Sequence, residues 1–590
     1  MFVDPSPSNE HATLGLIEFG LSSVGVAIAF AWPGLGSFGF FRRIERFIAP
    51  LARKKTLSVV LIGLSVIVLR LAMLPICPIP LAFCTDDFSF LLAADTFLHG
   101  RLTNPTPAMW VHFETLHVDM IPTYMSMYFP AQGLLLAGSK LLFGNPWFGS
   151  LLCGALMCAA IYWMLQAWLP PKWALLGGMI AVIHLGLFSY WVNTYHAAGC
   201  ICALGGALIL GALPRLMKTA KFRYGLLIAI GIVLLGMTRP YEGMLLCLPV
   251  AFVLGHWVIK GKNKPAPLVL LRRAAFPILL VIAAGAWMGY YDFKVFGKAT
   301  TLPYTVNRAQ YAIAPYYVWQ SPRPEPVYRH DEMRRFYHED ELDFFKKIHS
   351  PLGFIPLTLV KGIGGFIFFA GTALLIPLIM VRRVFLDRRV RFLTVAVVFF
   401  AAGLLIEIFM IPHYLAPFTA AFYALGLQCM RHLRLWKYQG KPVGLTLVRF
   451  AVATCFVMAG LRVVAVPLNL MAPEWPSPNW NYSWYGPASF FGEDRARMDT
   501  QLQNAPGKHI VLVRYSLKHN PLDEWVYNTA DIDGSKVVWA REMSPADNQE
   551  LFDYYKDRDV WLAEPDTIPA RLSQYPGTRP GTGQVAAATH

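Results

Sequence analysis

Apolar runs of about twenty residues recur along most of this chain, and they restrict the fold more than any motif does. A helix rising about 1.5 Å per residue needs about 20 residues to cross the hydrocarbon core of a bilayer. Such runs lie at 13–36, 56–76, 147–168, 172–190, 195–217, 222–238, 240–260, 275–295, 352–380, 391–411, 413–431 and 446–466. In hydrocarbon the backbone must satisfy its own hydrogen bonds, so runs like these span as helices. The expected class is an all-α polytopic membrane protein with about twelve spans. Only 15% of the 590 residues are charged and mean hydropathy is +0.44, where a soluble chain would hold about a quarter charged.

The net charge of +16 does not point to nucleic acid, because its placement follows the spans. Basic clusters fall at 42–55, 215–223, 260–273, 382–391 and 431–441. With the spans above, all five land on one side, which the positive-inside rule makes cytoplasmic. The first fifteen residues carry acids and no base, so the first run reads as a retained helix and not a signal peptide. A bacterial cytoplasmic membrane is the expected home. Of nine cysteines, seven lie in spans and act as small apolar residues; Cys77 and Cys84 could pair if their loop meets an oxidising compartment.

The opposite side receives three larger pieces. A terminal helix and basic loop (1–55) precede a transmembrane domain (56–468) that carries loops 77–146 and 297–351. A linker (469–500), a small α/β domain (501–576) and a disordered tail (577–590) follow. In the tail domain HIVLVRY, KVVWAR and DVWLAE have strand character, and SPADNQELFDYYKD is a capped helix between the last two. Its sheet is expected to be parallel. It carries no glycine-rich phosphate loop, nucleophile motif or metal cluster; Asp531 and Asp533 suit a turn.

Loop 77–146 concentrates the chemistry. Asp86, Asp87, Asp95, Glu114 and Asp119 share it with His99, His112 and His117. DDFSFLLAADTFLHG suits an interfacial helix, with Asp95 and His99 one turn apart, and PAQGLLLAGSKLLFG suits a second. Asp86 or Thr85 could also simply cap the first of these helices.

This order — a span, an acidic pair, an interfacial helix, then a Tyr128-Phe129-Pro130 turn — resembles the GT-C superfamily of glycosyltransferases. Protein O-mannosyltransferases and the aminoarabinose transferases of lipid A belong to it. The resemblance covers about residues 56–470. It implies a multi-span enzyme that takes a sugar from a polyprenyl-phosphate carrier. An Arg-Pro-x-Glu turn, here Arg239 to Glu242, is similar to turns in that class. The pair is Asp-Asp where many relatives have Asp-Glu, and Phe-Pro stands where many have Pro-Pro, so the division of labour between the acids stays open.

Elementary chemistry gives the same residues roles. Transfer to a hydroxyl needs a base, and adjacent aspartates at a membrane surface meet conditions that raise a carboxyl's pKa. Asp86 and Asp87 are the catalytic candidates, with Asp87 slightly favoured. An anionic lipid-phosphate leaving group needs fixed cations, and Arg239, Arg70, Lys361 and Arg462 lie in the outer parts of spans, although snorkelling would also place them there. Glu242, Asp95, His99, Tyr128, Gln132, Tyr304, Arg308, Tyr311, Glu407, His413 and Tyr414 are candidate substrate contacts, the tyrosines because rings with polar tips suit sugars. No cofactor is required. A divalent metal on Asp86, Asp87 and loop histidines is left open, since no ligand spacing is diagnostic. The expected partners are a polyprenyl-linked sugar donor, a glycan, lipid or protein acceptor, and membrane lipid, with no nucleic acid. Transfer is expected to proceed with inversion. The alternative is a transporter or flippase of lipid-linked glycans, against which stand the lack of internal repeats, of broken helices and of many mid-depth polar groups beyond Glu18 and His184.

Overall fold

A computed structural model describes residues 11–196, 198–261, 264–465, 468 and 492–576. The expected linker falls largely, and the expected disordered tail wholly, outside the described residues. Eight helices among them are long and apolar enough to cross a bilayer: Leu14–Ala31, Lys55–Ala72, Trp147–Trp168, Gly199–Thr219, Pro240–Lys260, Pro267–Phe296, Leu352–Ala370 and Val443–Val463. Shorter apolar helices, Pro171–Leu187, Phe222–Gly236 and Arg391–Leu405, stand where three more spans are expected. Thr419–Arg434 stands in the place of the 413–431 run. The chain is a multi-pass helical membrane protein with a small C-terminal sheet domain. Its outer faces fit that solvent: Leu268, Leu271, Ile278, Leu279 and Ile282 are all exposed along one helix.

The expectation of unbroken spans is corrected at two places. The Pro351–Ala370 helix stops at Gly371, whose φ of 64° favours glycine, and resumes as a 3-10 turn over Ala373–Met380. The buried Glu18 carboxylate accepts the Ala373 N–H (3.1 Å) there and so satisfies a backbone group that the break frees. The second break is a π-helical stretch at Val182–Leu187, which contains His184.

The acidic pair opens the helix Thr85–Leu98, and Pro130–Phe143 is the second helix expected in that loop. The Thr85–Leu98 helix is not interfacial, however. It is buried on both sides, because Pro130–Phe143 packs on one face and the C-terminal domain covers another. Phe88 stacks on Tyr527 with ring centroids 4.6 Å apart, and Ala530 N–H donates to Asp95 (2.9 Å). Tyr527 and Ile510 of that domain share a core with Leu92, Phe113 and Tyr124.

The domain holds the three expected strands, Lys508–Val513, Val537–Arg541 and Arg558–Glu564, all parallel with the first in the centre. Ser544 caps the expected Pro545–Tyr554 helix by accepting the Asp547 N–H (3.3 Å). A fourth strand, Arg571–Gln574, pairs antiparallel at the edge, so the sheet is mixed where a parallel one was expected. Glu493–Asn504 packs as a helix against this sheet, so the folded unit begins before 501. Asp531 makes the expected turn by accepting the Gly534 N–H (3.1 Å).

Candidate functional site

Asp86 and Asp87 are successive residues in the first turn of a helix, so their side chains point about 100° apart. They therefore meet different surroundings. Asp87 is fully buried and accepts the Tyr195 N–H (2.7 Å), and His196 Nδ1 lies 3.0 Å from the same oxygen. Asp86 faces a cavity of about 400 Å³. Its Oδ1 accepts a hydrogen bond from Tyr128 and lies 2.9 Å from His117 Nδ1, in ion-pair contact and out of hydrogen-bond alignment. Burial by itself would raise the Asp86 carboxyl, but His117 beside it and the Tyr128 hydroxyl hold it well below the usual carboxylate range. Asp86 thus lines the cavity, whereas Asp87 does not and ties the first loop to the 188–198 segment.

His117 is placed by backbone geometry. Its φ is 61°, in the left-handed region, and its carbonyl accepts from Ser89 Oγ (2.7 Å) and from Met127 N–H (3.2 Å). This turn precedes the short antiparallel pair Val118–Asp119 and Met125–Ser126. The pair delivers Tyr128, whose ring stacks on Phe90 at 4.4 Å and meets the edge of Tyr304 at 5.7 Å.

Another stretch of the lining carries the cation. Arg239 is the N-cap of the Pro240–Lys260 helix, so the positive end of a helix dipole and a guanidinium stand together. Arg239 donates to Glu242 (2.6 Å) and lies 3.8 Å from the Tyr414 ring centroid. His413, which is 2.9 Å from the Tyr190 hydroxyl, and Glu407 belong to the same lining. Loop 297–351 forms the roof with Tyr304, Tyr316, Tyr317, Arg308 and Arg323. Arg308 is neutralised there by Glu341 (2.6 and 2.7 Å). Leu522 of the C-terminal domain also reaches the cavity.

The other expected site residues stand elsewhere. Arg70 is fully buried under Trp147 and donates to Asn193 (2.8 Å) and to the carbonyls of Cys77 (2.7 Å) and Pro78 (2.9 Å), so it fixes the loop that leads to the acids. Arg462 lies over Phe188, with its guanidinium carbon 4.5 Å from the ring centroid. Lys361 donates to the Ile408 carbonyl and lines a separate apolar groove. Of the four expected cations, only Arg239 lines this cavity. Asp95 and His99 serve the contact with the C-terminal domain and their own helix end. Gln132 donates to the Tyr195 carbonyl (3.0 Å), and Tyr311 donates to Glu114 (2.8 Å). Cys77 and Cys84 are unpaired thiols.

His117, His196, Arg323 and Glu341 are site residues the sequence did not single out for roles. Only the histidine-rich loop hinted at His117; the others come from segments remote in sequence. Cys84, Asp86 and His196 bring a thiol, a carboxylate and an imidazole within 4.8 Å of one another, a donor set suited to zinc more than to magnesium. Burial and the neighbouring carboxylates push the Cys84 thiol up, so an ion would have to displace its proton.

The apolar groove, about 440 Å³, runs beside the polar cavity and shares Glu407 with it. Phe366, Phe369, Leu374, Leu404 and Leu415 are among its walls.

No family model and no curated protein matches the sequence. Solved structures do. ArnT from Cupriavidus metallidurans bound to undecaprenyl phosphate is similar at 12% identity and a TM-score of 0.44, over 86% of this chain and 92% of that one. The apo oligosaccharyltransferase of Archaeoglobus fulgidus is similar at 12% identity and 0.40, over 78% of this chain and 62% of that one. The oligosaccharyltransferase AglB from the same organism, in complex with an inhibitory peptide and a dolichol-phosphate, is similar at 10% and 0.43, over 88% and 70%. This chain thus spans about three-fifths of the apo oligosaccharyltransferase's length. At this level of similarity the functional reading rests on the site itself.

Proposed function

We propose that this protein is a glycosyltransferase that moves a sugar from a polyprenyl-phosphate carrier to an acceptor hydroxyl at the non-cytoplasmic face, with inversion. One observation carries the proposal: a single cavity is lined both by the Asp86–His117–Tyr128 cluster and by Arg239 at a helix N-terminus, and an apolar groove adjoins it. The groove takes isoprenoid chain, and Glu407 marks where it meets the polar cavity. Arg239 and the start of the Pro240–Lys260 helix hold the phosphate, whose negative charge grows as the bond from its oxygen to the sugar's anomeric carbon breaks. The acceptor oxygen forms the new bond from the opposite face of the ring. Its proton passes to the carboxylate of Asp86, beside which His117 stands. Tyr128 fixes the carboxylate, and Tyr304, Tyr316 and Tyr317 offer ring faces to the sugar.

Cys84, Asp86 and His196 would hold a zinc-like ion, which would supply a Lewis acid; no step here is routed through it. Twelve crossings and a cytoplasmic position for the basic loops belong to the same proposal. The test is transfer in membrane vesicles from cells with and without the gene. Polyprenyl carrier with a radiolabelled sugar is supplied, and envelope glycans are compared by mass spectrometry. Label reaching a glycan, lipid or protein only when the gene is present supports the reading. Identical glycans and no carrier consumption in the two strains would remove it.

A further inference from the structure

A second cavity, open and about 1030 Å³ in volume, lies at the other end of the helix bundle. The Arg391–Leu405 helix starts beside it and ends two residues before Glu407. The Thr419–Arg434 helix likewise runs from just past Tyr414 down to this cavity. Fifteen or sixteen helical residues separate the two cavities by roughly 22–24 Å.

Five arginines line the far cavity: Arg383, Arg388, Arg389, Arg431 and Arg434. Asp387 is the one carboxylate in the lining, and it acts more as a scaffold than as a counter-charge. It accepts the Arg389 N–H (2.9 Å) and a hydrogen bond from Gln428, and His432 Nε2 lies 3.2 Å away. Gln428 in turn accepts from Arg431 (2.6 Å). Arg434 lies 3.4 Å from Glu45. Among the described residues Arg383, Arg388 and Arg389 make no ion pair. A basic loop at a span's end needs no further explanation. A concave basic surface ordered by a half-buried Asp–Gln–His network does need one.

The same segments line the apolar groove. Val381, Val384 and Phe385 alternate with Arg383 and Leu386, and Leu427 and Met430 flank Gln428 and Arg431. A molecule with a phosphate at the arginines would have its hydrocarbon beside Val384 and Phe385. Guanidinium groups suit phosphate oxygens, and basic pockets between spans hold anionic headgroups.

We propose that this cavity binds the phosphate-bearing headgroup of an anionic phospholipid, with an acyl chain laid into the near end of the groove. The proposal stands whether or not the outer cavity transfers a sugar. The test uses the full chain in detergent, titrated with dioleoyl phosphatidylglycerol or dioleoyl phosphatidylcholine and read by native mass spectrometry. The wild-type protein should retain phosphatidylglycerol in preference to phosphatidylcholine. The Arg388→Gln/Arg389→Gln variant removes two exposed charges and should bind phosphatidylglycerol at least about tenfold more weakly. An Arg388→Lys/Arg389→Lys variant keeps the charge and should stay within about threefold of wild type, which separates loss of attraction from loss of fold. Equal retention by wild type and the glutamine variant, or no preference over phosphatidylcholine, would overturn the proposal. So would inorganic pyrophosphate binding as tightly as the lipid and losing that binding in the glutamine variant, which would reassign the cavity to a soluble phosphate.

Discussion

Replacing each aspartate of the acidic pair in turn with asparagine separates catalysis from architecture. Asp87 is fully buried, and one of its oxygens meets two donors, the Tyr195 N–H at 2.7 Å and His196 Nδ1 at 3.0 Å. Hydrogen bonds to a charged acceptor contribute about 1.5–3 kcal/mol each, against about 1 for a neutral one. Asp87→Asn keeps an acceptor oxygen and loses the charge, so it should cost about 1–4 kcal/mol of stability. Asp86 is slightly exposed, and an amide there can still accept from Tyr128. Asp86→Asn breaks a largely buried contact with His117 and should also cost a few kcal/mol, about 2–4. Its effect on transfer should be far larger, about 10²- to 10⁴-fold in kcat, the usual worth of a positioned proton acceptor. Vesicle transfer with radiolabelled carrier and thermal melting by tryptophan fluorescence read the two effects separately. Both variants should melt lower than wild type, but the folded fraction of Asp86→Asn should be almost inactive, while that of Asp87→Asn should retain activity. If Asp86→Asn transfers within twofold of wild type, or a fully folded Asp87→Asn is the dead one, the assignment to Asp86 is refuted.

Further expectations concern charge elsewhere. Arg239→Gln should weaken carrier binding by about 10- to 100-fold, from the loss of a charge-assisted contact to phosphate, and should leave binding of a non-phosphorylated prenol unchanged. Asp119 accepts from Asn307 (3.0 Å) through one oxygen, and burial pushes its carboxyl up to about 7. Between about pH 4 and 7 the folded chain keeps a proton there that the unfolded chain has released, so stability falls as pH rises across that window. The fall amounts to about 4 kcal/mol at most. Asp119→Asn should therefore melt higher than wild type at pH 8 and alike at pH 4. Arg541 is buried between Glu524, Glu332 (3.1 Å) and the Glu114 carbonyl (2.8 Å). Arg541→Ala leaves Glu524 buried without its partner, at about 3–5 kcal/mol, and limited proteolysis should then release the C-terminal domain.

The sequence by itself determined the class, because hydrophobic periodicity and length are local properties. The apolar runs near 56–76, 147–168, 240–260 and 446–466 became helices within a few residues of their expected ends. The strands Lys508–Val513, Val537–Arg541 and Arg558–Glu564 and the cap at Ser544 likewise formed where the pattern placed them. Asp86, Tyr128, Arg239 and Glu242 were also legible, because an acidic pair, a proline turn and an intramembrane arginine are conspicuous against a greasy background. Only the tertiary structure decided which of two neighbouring aspartates meets the cavity, since that depends on the rotation of one helix between two packing partners. It also decided that Arg70 is consumed by backbone carbonyls and Asn193, and that His117, His196 and Arg323 come to the site. Such choices rest on contacts between residues far apart in sequence, 123 positions between Arg70 and Asn193 and 435 between Asp95 and Ala530, and no local pattern encodes a partner that far along the chain.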